Sequence, residues 1–144
     1  MRRIPALLFA LCLSAAPALA QDMGAAAQGQ TNTLRANAGL EPLRVSGALT
    51  RAAAGHARDM AQNGFFSHTG SNGSGIGDRA RAAGYGFCFI AENIAQGQSS
   101  VDQVLSGWMA STGHRRNILS EGAREFALVR EGDIWVMVLG RPGC

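Results

Sequence analysis

Lysine is absent from the 144-residue chain, and all thirteen basic residues are arginine. A bias in the encoding genome explains that better than a binding surface does. Two of the arginines, Arg2 and Arg3, precede an N-terminal apolar run, so the remainder of the chain carries 11 − 10 = +1. That balance excludes the basic footprint of a nucleic-acid or anionic-membrane partner. Cysteine is scarce too, with three residues, and so are the signatures of familiar hydrolases: neither H-E-x-x-H nor G-x-S-x-G occurs. No apolar run is long enough to span a bilayer, which takes about 20 residues.

The start of the chain, "MRRIPALLFALCLSAAPALAQ", has two arginines, a short apolar stretch and the small-x-small pattern Ala18-Leu19-Ala20. Residues 1–20 therefore read as a secretory signal peptide cleaved after Ala20. Cys12 lies inside the apolar run behind Leu11, a poor setting for a lipid-modified cysteine. Cleavage leaves 144 − 20 = 124 residues, one domain that buries about two-thirds of its unfolded surface. A secreted or periplasmic location follows. Cys88 and Cys144 are then the two remaining cysteines, an even number in an oxidising compartment, and are expected to pair. The bond closes a loop of 144 − 88 = 56 residues.

Residues 21–33 are alanine- and glycine-rich and weakly patterned, a lead-in to a domain at 34–144 with Leu34 as its first good core residue. Leu49, Ala52, Ala53, His56, Ala57 and Met60 recur at helical spacing between Gly47 and Gly64. His56 on that stripe reads as a hydrogen-bonded core histidine. The four glycines at 70, 73, 75 and 77 exclude a regular element there. A short helix follows over 78–83, then a strand over 87–95, and a helix over 101–111 capped by Ser99 or Ser100. "REFALVR" and "IWVMVLG" form a hairpin about Glu131-Gly132-Asp133. Helices and strands mix without regular alternation, so the fold class is α+β with antiparallel strands covered by helices.

Three ionisable residues sit in apolar settings: His68 after Phe65-Phe66, Glu92 between Ile90 and Ile94, and His114 ahead of "RRNIL". A carboxylate placed like Glu92 is costly to bury without a cation, a metal or several donors, and a histidine is the cheapest such partner. Ser111 and His114 form an i, i+3 pair, which is common by accident.

The ordered motifs "NGFFSH", "GDRARAAGY", "AENIAQG", "GWMASTGHRRNIL" and "WVMVLG" resemble the bacterial branch of the CAP superfamily of cysteine-rich secretory, antigen 5 and pathogenesis-related proteins. The resemblance runs from about Leu34 to Gly140 and implies a three-layer α-β-α sandwich. It places His68, Glu92 and His114 in a surface cleft, with Ser111 where animal and plant members carry a second acidic residue. Asn93, Asn117 and Trp108 take structural roles. Phe126-Ala127 departs from the family's usual glycine and implies a bulkier strand edge near the cleft.

Three functions are compatible with this. One is a binding module for a small apolar or cell-envelope ligand, as lipid and sterol binding by some relatives suggests, with His68 and His114 holding a weak, exchangeable zinc ion. The second is a hydrolase using the cleft for metal-assisted or acid-base chemistry. The third is a scaffold whose His/Glu network only fixes loops.

Overall fold

The computed structural model describes residues 19–144, so the expected signal peptide, apart from Leu19 and Ala20, lies outside the described residues together with Cys12. In chain order the elements are β1 (Gln21–Asp22), α1 (Gly24–Ala36), β2 (Arg44–Val45), α2 (Gly47–Asn63), α3 (Ile76–Ala82), β3 (Phe87–Gln96), α4 (Val101–Ala110), α5 (Thr112–Ile118), β4 (Glu125–Glu131) and β5 (Ile134–Pro142). The sheet runs β1-β4-β5-β3, antiparallel throughout, with β2 pairing parallel to the Glu125 end of β4.

The three-layer arrangement follows from how β4 and β5 divide their side chains. Phe126, Leu128, Trp135, Met137 and Leu139 pack with Val104, Leu105, Trp108 and Ile118 on one face. Ala127, Val129, Val136 and Val138 pack with Leu49, Ala53, Ala57 and Met60 on the other. Both faces of the sheet are covered, so the strands read as apolar runs instead of alternating with polar residues. Phe126 and Ala127 are fully buried in opposite cores, so the expected bulkier edge beside the cleft is not there.

The apolar stripe of α2 is buried at every expected position: Leu49, Ala52, Ala53, His56, Ala57 and Met60. Ser46 caps the helix through the Leu49 N–H, and Gly64 ends it in the left-handed conformation at φ 67°, where a side chain would be strained. Other boundaries differ from expectation. The first helix begins at Gly24, well ahead of Leu34, and it buries Ala27, Thr31 and Arg35 while Leu34 is only partly covered. Helix α3 starts at Ile76 because the Asp78 carboxylate accepts the Gly75 N–H at 3.0 Å. The expected helix over 101–111 ends at Ala110, and a second short helix, α5, follows Ser111.

Cys88 and Cys144 lie at disulfide distance, with Cα atoms 5.3 Å apart. The bond fastens the chain end beside the Phe87–Pro142 pair, where β3 and β5 begin their ladder.

Candidate functional site

Glu92 is held by the pleat of β3. Alternation sends its side chain toward α2 and α3 and that of Asn93 toward α5, so consecutive residues anchor opposite walls. Both are buried, at 7% and 0% exposure. Asn93 Nδ2 donates to the His114 carbonyl at 3.1 Å, and Asn117 Nδ2 donates to Asn93 Oδ1 at 2.8 Å and to the Glu92 carbonyl at 3.3 Å. These bonds fix α5 to β3 and set where His114 starts.

The other wall is built by the turn after α2. Phe65 packs on the core beneath α2, while Phe66 is 46% exposed. His56 Nε2–H donates to the Ser67 carbonyl at 2.8 Å, fastening the residue before His68 to α2. An arginine of α3 fastens His68 itself: Arg79 donates to the His68 carbonyl at 3.1 Å and to the Ser74 carbonyl at 2.7 Å. Asp59 secures the glycine-rich loop by accepting the Ser71 N–H and hydroxyl at 2.8 and 2.6 Å, bonds that lower its pKa.

Glu92 is consequently met from two sides. His68 Nδ1–H donates to Oε1 at 2.8 Å and Arg79 donates to Oε2 at 2.8 Å, with His56 Nε2 farther off at 3.9 Å from Oε1. The carboxylate side chain is 2% exposed, Arg79 10% and His68 57%. Arg79 is thus the cation that the buried carboxylate requires. Sequence reasoning supplied the histidine and missed the arginine, since nothing separates it from the other arginines of "GDRARAAGY" except the helical cap that sets its phase.

His114 is partly buried, its ring tilted 50° against Trp108 with centroids 6.4 Å apart. Burial lowers its pKa first and the nearby charge of His68 lowers it further, so the two imidazoles sense one another. Burial likewise lowers the pKa of His56, against the opposing pull of Glu92. Trp108 donates its indole N–H to the Ile94 carbonyl at 3.2 Å. Ser111 joins α4 to α5, and its hydroxyl makes no capping bond and no bond to His114.

This donor set fits only one kind of metal site. With Nδ1–H committed to Glu92, His68 presents the Nε2 lone pair outward, the arrangement in which a carboxylate orients a ligating histidine. Among the described residues no three His, Cys, Asp or Glu side chains are grouped to hold an ion. Two imidazoles with water can hold zinc weakly; a closed structural site needs four protein ligands and a catalytic one usually three. A cavity of about 600 Å³ lies elsewhere, between α1 and α4, where Leu34, Leu105 and Met109 meet Gln30 and Asp102.

Comparison with known proteins matches residues 28–133 to the Cysteine-rich secretory protein family, CAP. The chain belongs to this family. A protein of Bacillus subtilis, YkwD, is 33% identical over 107 residues, which is 73% of this chain and 42% of that protein. An extracellular protein containing an SCP domain from Bacillus anthracis superposes with a TM-score of 0.78 at 30% identity, over 81% of this chain and 39% of that one. An outer surface protein of Borrelia burgdorferi shares the fold, with a TM-score of 0.73 at 20% identity over 81% of this chain and 90% of that one. The CAP chain therefore spans less than half the length of YkwD and of the Bacillus anthracis protein. No helix among its described residues is long and apolar enough to cross a membrane.

Proposed function

We propose that this CAP domain is an extracellular or periplasmic binding module whose His68, Glu92 and His114 cleft takes a weakly held divalent metal, zinc by its nitrogen ligands. The cavity between α1 and α4 receives the apolar part of a small cell-envelope ligand. One observation carries the reading: both oxygens of Glu92 are already occupied, one by His68 and one by Arg79. A carboxylate so engaged orients an imidazole well, but it takes a proton from an attacking water only by giving up one of those bonds. Ser111 has no base in contact with its hydroxyl, so a serine nucleophile lacks support as well. Binding is favoured over hydrolysis on both counts.

The scaffold reading also has an observation behind it, since His56 and Arg79 pin the Ser67 and His68 carbonyls. The two readings differ at His68, whose exposed ring contributes little to packing. Calorimetric titration of zinc at about pH 7.5 and about pH 5.5 separates them, because zinc needs neutral imidazole and binding fades as pH falls through the histidine range near 6.5. His68→Ala and His114→Ala are expected to abolish binding while the protein stays folded. Equal zinc binding by wild type and both variants would remove the site and leave the scaffold.

A further inference from the structure

Glu131, the last residue of β4, is 9% exposed, and its Oε2 is sealed from solvent with no hydrogen-bond partner among the described residues. Among the described residues it enters no ion pair. Its surroundings supply no cation among the described residues. Glu131 borders a cavity of about 430 Å³ together with Asp133 and the C-terminal turn of α2 at Met60, Ala61 and Gly64. That turn contains no basic residue, and its free carbonyls present the negative end of the helix dipole. A carboxylate in such a place needs a cation.

The sheet register shows where one arises. Strand β1 pairs with β4 as Gln21 with Arg130 and Asp22 with Val129, so one further step sets Ala20 opposite Glu131. The Met23 N–H donates to the Leu128 carbonyl. By antiparallel alternation the 20/131 position is then a narrow, non-hydrogen-bonded pair with Cα atoms about 4.5 Å apart and both side chains on one face. Ala20 packs against the core that holds Met60 and Ile134, the face on which Glu131 lies.

Cleavage after Ala20, expected from the sequence, consumes one water and breaks the C–N bond between Ala20 and Gln21. Ala20 leaves with the new carboxylate, and the Gln21 nitrogen becomes a primary amine that takes up a proton. We propose that this α-ammonium group of Gln21 is the counter-ion of Glu131, so that maturation itself completes the ion pair and fastens β1 to β4. The neighbouring charges are engaged elsewhere. Asp22 accepts the Gly24 N–H, Asp133 accepts from Gln96, and Arg130 lies over the Trp135 ring while donating to the Gly132 and Ser99 carbonyls. Among the residues lining the cavity, α2 contributes no charge.

The absence of lysine makes the test direct, because the α-amine is the sole primary amine of the mature chain. The full chain is exported, its N-terminus is read by mass spectrometry, and the amine is acetylated with an N-hydroxysuccinimide ester at about pH 7. Only the neutral amine reacts, and an unperturbed α-amine has a pKa of about 7.7–8.0. An ion pair that raises this by about one unit slows acetylation about ten-fold. Glu131→Gln is expected to restore the ordinary rate. Should that variant fail to fold, a chain retaining Ala16–Ala20 serves instead: its amine is five residues removed from Gln21 and should react about ten-fold faster than that of the mature protein. Equal rates in the mature protein and these comparators would overturn the proposal. So would an N-terminus other than Gln21, or complete cyclisation of Gln21 to pyroglutamate in freshly exported protein, since cyclisation needs the unpaired amine.

Discussion

Replacing Arg79 by methionine is the most informative perturbation of the cleft. The change keeps a long side chain against α3 but removes donors to Glu92, His68 and Ser74 at 2.8, 3.1 and 2.7 Å. The carboxylate left behind is 2% exposed. Removing one partner of a buried pair costs about 3–5 kcal/mol, because the remaining charge stays desolvated. Here the lower end applies, since His68 still reaches Oε1 and its exposed ring gives water a route inward. A loss of about 3 kcal/mol in a domain of this size lowers Tm by about 10 °C.

Glu92→Gln should cost less, about 2 kcal/mol, because the amide oxygen still accepts one bond while the arginine keeps its two carbonyls. The double variant should then be more stable than additivity predicts by about 2 kcal/mol, the signature of directly coupled groups. Urea unfolding followed by tryptophan fluorescence is a suitable assay, as Trp108 and Trp135 are both buried. A drop in Tm of only a degree or two for Arg79→Met, or strict additivity in the double variant, would show that the carboxylate does not depend on this cation and would refute the account of the site.

Other outcomes follow from the same structure. Substituting both Cys88 and Cys144 by serine should cost up to about 4 kcal/mol on the chain-entropy model for a 56-residue loop, read as a fall in the urea midpoint of the unreduced protein. His56 has its folded pKa lowered by burial, so between that value and the unfolded value near 6.5 only the unfolded chain binds the proton. Stability therefore rises with pH through that window and is lost on acidification below about 6.5. His56→Gln, which can still donate to the Ser67 carbonyl, should show a shallower loss between about pH 7 and 5 in urea titrations, with the same-signed contribution of His114 remaining. Gly140→Ala would place a Cβ 2.7 Å from the Tyr85 ring, and the overpacking should lower stability by about 1–3 kcal/mol in thermal melts.

The elements legible in the sequence are those whose pattern is made by their own residues. Helix α2 carries a complete buried stripe between a serine cap and a glycine stop, and the β4–β5 hairpin has a glycine turn between two apolar runs. Elements held by the rest of the protein were not legible. Strand β1 is two polar residues, given strand conformation by pairing with Val129 and Arg130. Helix α5 has seven residues with only Ile118 buried, and its place is set by Asn93 and Asn117 reaching across from β3 and back. The start of α1 was missed because its buried face is made of glycine, alanine and threonine and of Arg35, whose guanidinium binds the Glu41, Ile118 and Ser120 carbonyls. A pattern of large apolar residues does not register such a face.

The candidate site divides along the same line. His68, Glu92 and His114 stand out because each is ionisable amid apolar neighbours, a contrast visible in a window of ten residues. Arg79 and His56 show no such contrast. One is an arginine on a short polar helix, the other a histidine on a stripe that reads as core. Each contributes by reaching the carbonyl of a residue in the turn between α2 and α3, a relation no periodicity encodes. Burying Glu92 is what makes them necessary. Once β3 points a carboxylate into the layer between α2 and α3, the fold must bring a cation to it and must stop the following turn from drifting away. The arginine that does the first also does the second, through one guanidinium. Arg79 therefore links the geometry at His68 to the stability of the following loop, alongside His56 and Asp59. Variants at Arg79 should lose both together, whereas variants at His68 should lose only the first.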